Sequence, residues 1–184
     1  MADPEAAPAP SHGPAAPSQW VERFAGLVPQ GGTVLDLAAG GGRHSLLLRR
    51  LGHPVVAIDR DTAALQALAA GDPGLVVVAA DLEAPGAAWP TGARRFAGIV
   101  VTNYLHRPLF GAIRAALAPG GALIYETFAL GNERFGKPSN PDFLLRPGEL
   151  LALAEGLRVV AYEDLEIAAP RRAMVQRIAA VSPP

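Results

Sequence analysis

The chain has 184 residues, and its 16 basic and 17 acidic side chains give a formal net charge of −1. This balance lacks the basic excess that is typical of proteins binding nucleic acid or an anionic membrane, so we expect neither partner. The sequence contains no cysteine, which excludes disulfides, thiolate metal sites and a cysteine nucleophile. We expect no metal site. No signal-peptide pattern or apolar run of membrane-spanning length is present, so we expect a cytoplasmic protein.

The first 17 residues are rich in alanine and proline. Such a segment buries too little apolar surface to offset the entropy lost on ordering. We therefore predict a disordered tail over residues 1–17 and one folded domain over residues 18–184. A domain of this length is large enough to bury its own hydrophobic core. We expect a monomer or a homodimer.

A first helix is predicted from Ser18 to Leu27, because Ser18 is a good N-cap and an apolar periodicity follows it. Trp20, Phe24 and Leu27 are spaced so that they share one face of this helix. In one interpretation that face packs on the domain. In the other, the helix covers a ligand crevice.

Predicted strands and helices alternate through the rest of the chain. Alternation of this kind indicates a parallel sheet with right-handed crossovers and helices on both faces. The two apolar runs at the C-terminus have the spacing of an antiparallel pair added at the sheet edge. The predicted strands are 34–37, 54–58, 75–80, 99–102, 122–127, 157–167 and 172–181, and the later predicted helices are 43–51, 62–70, 108–117 and 147–155, with a turn at 119–121.

The stretch from Thr33 to Ser45 reads TVLDLAAGGGRHS, a short apolar strand, a small-residue bend and the start of a helix. A strand that passes through glycines into a helix leaves backbone N–H groups facing an open crevice. Side chains in the bend would fill that crevice, which explains why the backbone is nearly bare. We therefore predict a ligand site at this bend.

Three aspartates stand at or next to the carboxyl ends of successive predicted strands, namely Asp36, Asp59 and Asp81. In a parallel sheet these ends meet at one edge, so the three carboxylates are expected on the same rim. Aspartate also caps the helix that follows a strand, which is a sufficient explanation for any one of them. All three beside one glycine bend favour a ligand with an amine, a vicinal diol and an exocyclic amino group.

This pattern resembles the class I S-adenosylmethionine-dependent methyltransferases over roughly residues 33–127, and the GRHS continuation and shortness resemble the small bacterial tellurite-resistance and small-molecule enzymes of that class. The resemblance implies a Rossmann-like seven-stranded sheet, mostly parallel, with an antiparallel C-terminal hairpin. It also implies S-adenosylmethionine as the cofactor and a small-molecule methyl acceptor. Alanine stands at position 38, where the commonest motif has its first glycine.

The resemblance also implies the cofactor contacts. The first-strand motif supplies Asp36, Ala38, Gly40 and Gly42. The other implied cofactor-binding residues are Asp59 for the ribose hydroxyls with Arg60 beside it, Asp81 for the adenine amino group with Leu82 beside it, and Asn103 near the reacting methyl.

A nicotinamide-dependent dehydrogenase is the rival enzyme, since Asp59 lies 19 residues after Gly40 and that fold also uses a ribose-binding acid at about 20 residues. Three features favour the methyltransferase. Asp36 lies inside the turn, where it would repel a pyrophosphate. Ser45 stands where the GxGxxG pattern has its third glycine, and Asp81 has no necessary role in a dehydrogenase.

The predicted catalytic residues are Tyr104, His106 and Glu126. Tyr104 is predicted to wall the methyl pocket, and Glu126 to hold a donor group of the acceptor. Histidine titrates near neutrality, so His106 is a candidate base, needed only if the acceptor must lose a proton. Alternatively, His106 bonds to a backbone group at a helix start. His44 is interpreted as structural.

The loop over residues 128–146 is either a lid that selects an acidic or planar substrate or a solvated surface loop. Two arginine pairs, 94–95 and 171–172, keep an RNA acceptor as a minority alternative. A non-catalytic protein that shares the fold is a third hypothesis. The loop mixes charged, polar and aromatic residues: Phe128, Glu133, Arg134, Phe135, Lys137, Asn140, Phe143 and Arg146.

Overall fold

The computed structural model describes residues 15–184, so most of the predicted tail, residues 1–14, lies outside the described residues. Seven strands in the described part form one sheet: β1 Val34–Leu37, β2 Val55–Asp59, β3 Leu75–Ala79, β4 Phe96–Thr102, β5 Leu117–Phe128, β6 Arg158–Ile167 and β7 Ala173–Val181. The helices are α1 Gln19–Phe24, α2 Arg43–Arg50, α3 Ala63–Ala69, α4 Phe110–Ala115 and α5 Glu149–Leu153. None of the helices over 15–184 is long and apolar enough to cross a membrane.

The strand order is β3-β2-β1-β4-β5-β7-β6, and only β7 runs antiparallel to its two neighbours. β1 is hydrogen-bonded to β2 on one side and to β4 on the other. The chain therefore winds outward in both directions from β1. In parallel sheets a crevice opens beyond the carboxyl ends of the strands at this switch point. The predicted mixed α/β fold is confirmed.

Both faces of the sheet are covered, because the central strands are apolar on both sides. Val34, Val55 and Ile124 face the layer of α1, α2 and α3. Leu35 and Tyr125 face the layer of α4 and α5. These side chains are at most 1% exposed, so they form two cores with the sheet between them.

Helix α1 begins where the sequence predicts, because the Ser18 hydroxyl accepts a hydrogen bond from the Trp20 N–H at 3.1 Å. Trp20 is 2% exposed, and its indole N–H donates to the Ile178 carbonyl at 3.2 Å. A short 3-10 turn extends the helix over Ala25–Leu27. The apolar face of α1 therefore packs on the sheet, which confirms the first interpretation.

Four predicted boundaries were wrong. β4 begins at Phe96 and not at Ile99. β5 begins at Leu117, and the predicted turn at 119–121 is an irregularity within that strand, where the pairing with β4 shifts register between Phe96 and Gly98. The helix predicted over 108–117 is correspondingly shorter, a 3-10 turn followed by α4. Helix α5 begins at Glu149 and not at Pro147, because Gly148 takes a left-handed conformation with φ 73°. The predicted antiparallel C-terminal pair at the sheet edge is confirmed, with β7 between β5 and the edge strand β6.

We predict that Trp20→Ala lowers the free energy of unfolding by about 3–5 kcal/mol, since it empties a large buried volume and removes the indole bond to Ile178. Leu51→Ala is the control, because Leu51 is 44% exposed, and it should cost less than about 1 kcal/mol. Urea unfolding at neutral pH measures both. Equal losses in the two variants would contradict the packing of α1.

Candidate functional site

A cleft of about 440 Å³ opens at the carboxyl edge of the sheet, beyond β1 to β4. Its volume lies within the range of small-molecule sites, about 300–1,000 Å³. Seven of the residues predicted from the sequence or its family resemblance line it, together with three that were not predicted. The lining residues are Ala38, Asp59, Arg60, Ala80, Asp81, Leu82, Glu83, Asn103, Tyr104 and Phe143.

The bend after β1 is shaped for close approach. Ala38 and Gly40 have φ values of 55° and 54°, in the left-handed region that favours glycine. A Cβ atom added at Gly40 or Gly41 would meet no atom within 4 Å, so this side of the bend is open. At Gly42 the added atom would lie 2.7 Å from the Leu68 side chain. Gly42 therefore permits packing against α3 and does not line the cleft.

Asp59 is fixed at the rim by two backbone donors. The Gly40 N–H donates to its Oδ2 at 2.7 Å, and the Asp61 N–H donates to its Oδ1 at 3.1 Å. Asp81 likewise accepts a bond from the Glu83 N–H at 3.0 Å. These bonds fix the loops after β2 and β3 and do not cap a helix, because α3 begins after Thr62 and β4 is the next element after β3. Because an ionised carboxylate offers about four acceptor positions, each still has capacity for a ligand donor.

Asp36 does not line the cleft. It is 1% exposed, and its Oδ2 accepts a hydrogen bond from the Ser45 hydroxyl at 2.6 Å. Burial raises the pKa of Asp36 from 3.8 to about 6, although the bonds from Ser45 lower it. Asp36 thus joins the end of β1 to the first turn of α2. Its side chain is buried under the bend after β1 and does not reach the open side of that bend.

The segment after β4 places two more residues in the cleft. Asn103 has φ 54°, and its N–H donates to the Glu126 carbonyl at 2.9 Å. The buried Tyr125 hydroxyl donates to the Tyr104 carbonyl at 2.8 Å. Two bonds to β5 therefore hold this segment at the rim.

The Tyr104 hydroxyl is buried and makes no hydrogen bond of standard geometry within residues 15–184, although the Glu83 carboxylate lies near enough to affect its pKa. Burial raises the pKa of Tyr104, and the nearby carboxylates of Glu83, Asp81 and Asp59 raise it further. The hydroxyl therefore stays protonated at neutral pH. A buried donor without a partner costs free energy, which points to a group that completes it.

The structure does not bring His106 or Glu126 into the cleft. Within the described chain His106 makes no side-chain hydrogen bond, and its backbone carbonyl accepts from the Leu109 N–H. Glu126 has both oxygens engaged, one by the Ser18 hydroxyl at 2.7 Å and the other by Arg177 at 3.3 Å. Its side chain is 13% exposed and lies on the face of the sheet that α1 covers. Its contacts are those of a packing residue.

His44 occupies the same network, as its structural interpretation requires. It is 1% exposed, and its Nε2 accepts from the Ser18 N–H at 3.0 Å. Its Nδ1, which then carries the proton, lies 3.3 Å from the Thr102 hydroxyl. Burial, with a smaller contribution from Arg43, lowers the pKa of His44 from 6.5 to about 4. The ring is neutral at physiological pH.

Sequence reasoning missed Ala80, Glu83 and Phe143 in the lining. Ala80 and Glu83 lie within two residues of Asp81 in the sequence. Including the immediate neighbours of the aspartate after β3 would have found them. Phe143 belongs to the predicted loop, in a 3-10 turn over Pro141–Phe143, and its ring is 48% exposed. Arg107 fixes this turn by donating to the Asp142 carbonyl at 2.7 Å and the Leu144 carbonyl at 2.9 Å. Nothing in the local sequence pairs Arg107 with a turn 35 residues away.

Comparison with known proteins identifies the class. A family model described as a methyltransferase domain matches residues 11–146, well over half of the chain. The chain therefore belongs to the methyltransferase-domain family, and the resemblance to class I S-adenosylmethionine-dependent methyltransferases is confirmed. Among curated proteins, no sequence matches.

Solved structures share the fold at low sequence identity. TehB from Haemophilus influenzae is 19% identical with a TM-score of 0.71, and the alignment covers 89% of this chain and 61% of TehB. This chain thus spans less than two thirds of that relative's length. The 1,6-didemethyltoxoflavin-N1-methyltransferase of Burkholderia thailandensis is 18% identical, with a TM-score of 0.67 and coverage of 90% and 77%. The glycopeptide N-methyltransferase MtfA is 21% identical, with a TM-score of 0.63 and coverage of 92% and 91%.

We predict that Ala38→Gly raises the free energy of unfolding by about 0.5–1 kcal/mol, because glycine adopts the left-handed conformation at position 38 without the strain of a Cβ atom. Ala39→Gly is the control. Ala39 is 7% exposed and has no positive φ, so the Ala39→Gly substitution should lower the free energy of unfolding by about 1 kcal/mol. Thermal unfolding compares the two variants. A lower melting temperature for Ala38→Gly would show that its conformation is not strained.

The two buried titrating groups predict opposite pH effects. The pKa of His44 is lower in the folded state, so its stabilisation is present above pH 6.5 and lost as the pH falls to about 4. The advantage of the wild type over His44→Gln should therefore shrink by about 3 kcal/mol between pH 7.5 and 4. The raised pKa of Asp36 has the reverse effect, since its contribution is present below pH 3.8 and lost as the pH rises through about 6.

Asp36→Asn is therefore the control of opposite sign. Relative to the wild type, its free energy of unfolding should increase by about 3 kcal/mol between pH 4 and 7.5. Urea titrations at five pH values measure both differences. A difference that is independent of pH for either variant would show that the residue titrates alike in the folded and unfolded chains.

Proposed function

We propose that the cleft binds S-adenosylmethionine and that the chain transfers its methyl group to a small-molecule acceptor. One observation carries this proposal: the ends of β2, β3 and β4 bring Asp59, Asp81 and the pair Asn103–Tyr104 to a single cleft beside the glycine bend. Carboxylates suit the diol, the exocyclic amine and the positive charge of such a cofactor. The open side of Gly40 leaves room for it. The residues present therefore fit this cofactor.

When bound, S-adenosylmethionine supplies an electrophilic methyl group on a sulfonium. Asp59 accepts hydrogen bonds from the ribose hydroxyls, with Arg60 beside it. Asp81 accepts from the adenine amino group, while Leu82 and the exposed ring of Phe143 give the base apolar contact. The backbone of Ala38 to Gly40 faces the amino-acid end. Asp36 holds this bend through Ser45 and is a positioning residue.

The acceptor lies beside Asn103 and Tyr104 in this proposal. Methyl transfer is an in-line displacement, so holding the nucleophile close to the methyl group supplies much of the rate. The Tyr104 hydroxyl stays protonated and makes no hydrogen bond of standard geometry in residues 15–184, so it is free to donate to the acceptor. Its backbone is fixed through Tyr125, which gives the donor a defined position. Phe143, fixed by Arg107, excludes water on the open side of the cleft.

No step of this mechanism requires His106 or Glu126. The lining drawn from residues 15–184 contains Asp59, Asp81, Glu83 and Tyr104 as its titratable groups besides Arg60. We therefore propose an acceptor whose reacting atom carries a free lone pair at neutral pH. The two methyltransferases of similar fold that act on a toxoflavin precursor and on a glycopeptide support an acceptor of modest size.

We predict that Asp59→Asn weakens binding of S-adenosylhomocysteine by about 10- to 100-fold. The amide keeps an acceptor for the Gly40 N–H but loses the charge that strengthens bonds to two ribose hydroxyls. Isothermal titration calorimetry measures the change. Asp61→Asn is the matched control, because Asp61 bonds the Ala63 N–H at 3.2 Å and does not line the cleft. Unchanged affinity in Asp59→Asn, or an equal loss in Asp61→Asn, would remove Asp59 from the cofactor site.

A further inference from the structure

The carboxyl edge of the sheet continues beyond the cleft, where it carries positive charge. Two segments meet there, the loop after β5 and the turn between β6 and β7. The contact is direct, since the Arg171 guanidinium donates to the Lys137 carbonyl at 2.9 Å. We call the following residues the rim cluster: Phe128, Arg134, Phe135, Lys137, Arg171 and Arg172.

The charge of this rim cluster is only partly compensated, because its four cations have two acidic neighbours, Glu133 beside Arg134 in sequence and Glu166. Arg172 pairs with Glu166, and its side chain is still 66% exposed. The other three cations have no carboxylate within 4.0 Å in the described part of the chain, from residue 15 onward. All four cations are exposed. The cluster is therefore a local excess of positive charge on a chain whose formal net charge is −1.

The guanidinium groups of the cluster are held in place on aromatic rings. Arg171 lies 5.3 Å from the centroid of the Phe128 ring. Arg134 and Arg172 both contact the Phe135 ring, at 5.2 and 4.9 Å. Like charges repel, and of the two guanidiniums on this ring only Arg172 has a carboxylate partner, Glu166, so an anion at Arg134 is favourable. The guanidinium planes are held on the rings in an orientation that suits binding of a carboxylate. The half-buried rings of Phe128 and Phe135 beside them can pack against a planar group.

The position of the cluster relates it to the methyl site. In the β4–β5 register, Thr102 pairs with Glu126, so the segment that carries Tyr104 and the end of β5 at Phe128 lie at the same edge of the sheet. The cofactor half of that edge is acidic, with Asp59, Asp81 and Glu83. The rim is thus polarised, with acidic groups beyond β2 and β3 and basic groups beyond β5 and β7.

We propose that the rim cluster is the acceptor subsite and that the acceptor is an aromatic carboxylate. This inference rests on the proposed function, because it places the acceptor next to the methyl site. The carboxylate contacts Arg134 and Arg171, and the aromatic part lies against the rings of Phe128 and Phe135. The acidic half of the rim repels such a molecule, which directs it to the basic half.

The test uses a matched pair of probes, naphthalene-2-carboxylate and naphthalene-2-carboxamide, titrated calorimetrically into protein saturated with S-adenosylhomocysteine. We expect the carboxylate to bind at least about tenfold more tightly than the carboxamide. The double variant Arg134→Gln/Arg171→Gln should lose that preference while it keeps its affinity for the carboxamide. Arg158→Gln is the control, because it removes an arginine that is also exposed but lies at the opposite edge, where Arg158 pairs with Val181.

Failure to bind the carboxylate, equal affinity for the two probes, or an equal loss in Arg158→Gln would overturn the subsite. Tight binding of a single-stranded RNA 12-mer without binding of the carboxylate would also overturn it, in favour of a nucleic-acid acceptor. Titration of S-adenosylhomocysteine alone separates the two proposals. If it does not bind, the proposed function fails; if it binds but the carboxylate preference is absent, only the subsite fails.

Discussion

The pairing of β1 with β2 on one side and with β4 on the other determines where chemistry takes place in this protein. Because the chain winds away from β1 in both directions, no helix crosses the carboxyl end of β1, and a crevice opens there. Ala38, at the start of the bend after β1, lines that crevice. The ends of the neighbouring strands supply its walls, so the polar residues of the cleft come from three strands that are distant in sequence.

Burial of polar groups beneath this bend holds it in shape. Asp36 is nearly inaccessible to solvent, and its carboxylate accepts a hydrogen bond from the hydroxyl of Ser45 on α2. His44, on the same helix, accepts from the Ser18 N–H and so connects α2 to the start of α1. Both groups carry an electrostatic cost of burial, as their shifted pKa values show. These buried groups fix the geometry of the glycine bend, and a cofactor site requires such a fixed geometry.

Local sequence patterns predicted the fold well because β1, β2 and β3 are short apolar runs with an acid at or near their ends, and helical patterns separate the parallel strands. They also predicted the cleft residues at strand ends, Asp59, Asp81 and Tyr104, since a parallel sheet brings such ends together. The roles of Asp36 and Glu126 did not follow from position alone. Which face of a strand a side chain takes, and which partner it meets there, depends on packing across the sheet. The contact of Arg107 with the turn at Phe143, and the meeting of Arg171 with Lys137, join distant segments that carry no common pattern.

A crystal structure of the chain with S-adenosylhomocysteine tests most directly which ligand the cleft holds. We expect the ribose hydroxyls within hydrogen-bond distance of Asp59, the adenine between Leu82 and Phe143 with its amino group at Asp81, and the sulfur facing Asn103 and Tyr104. A ligand bound elsewhere on the chain, or one bound with Asp59 and Asp81 free of contact, would contradict the account.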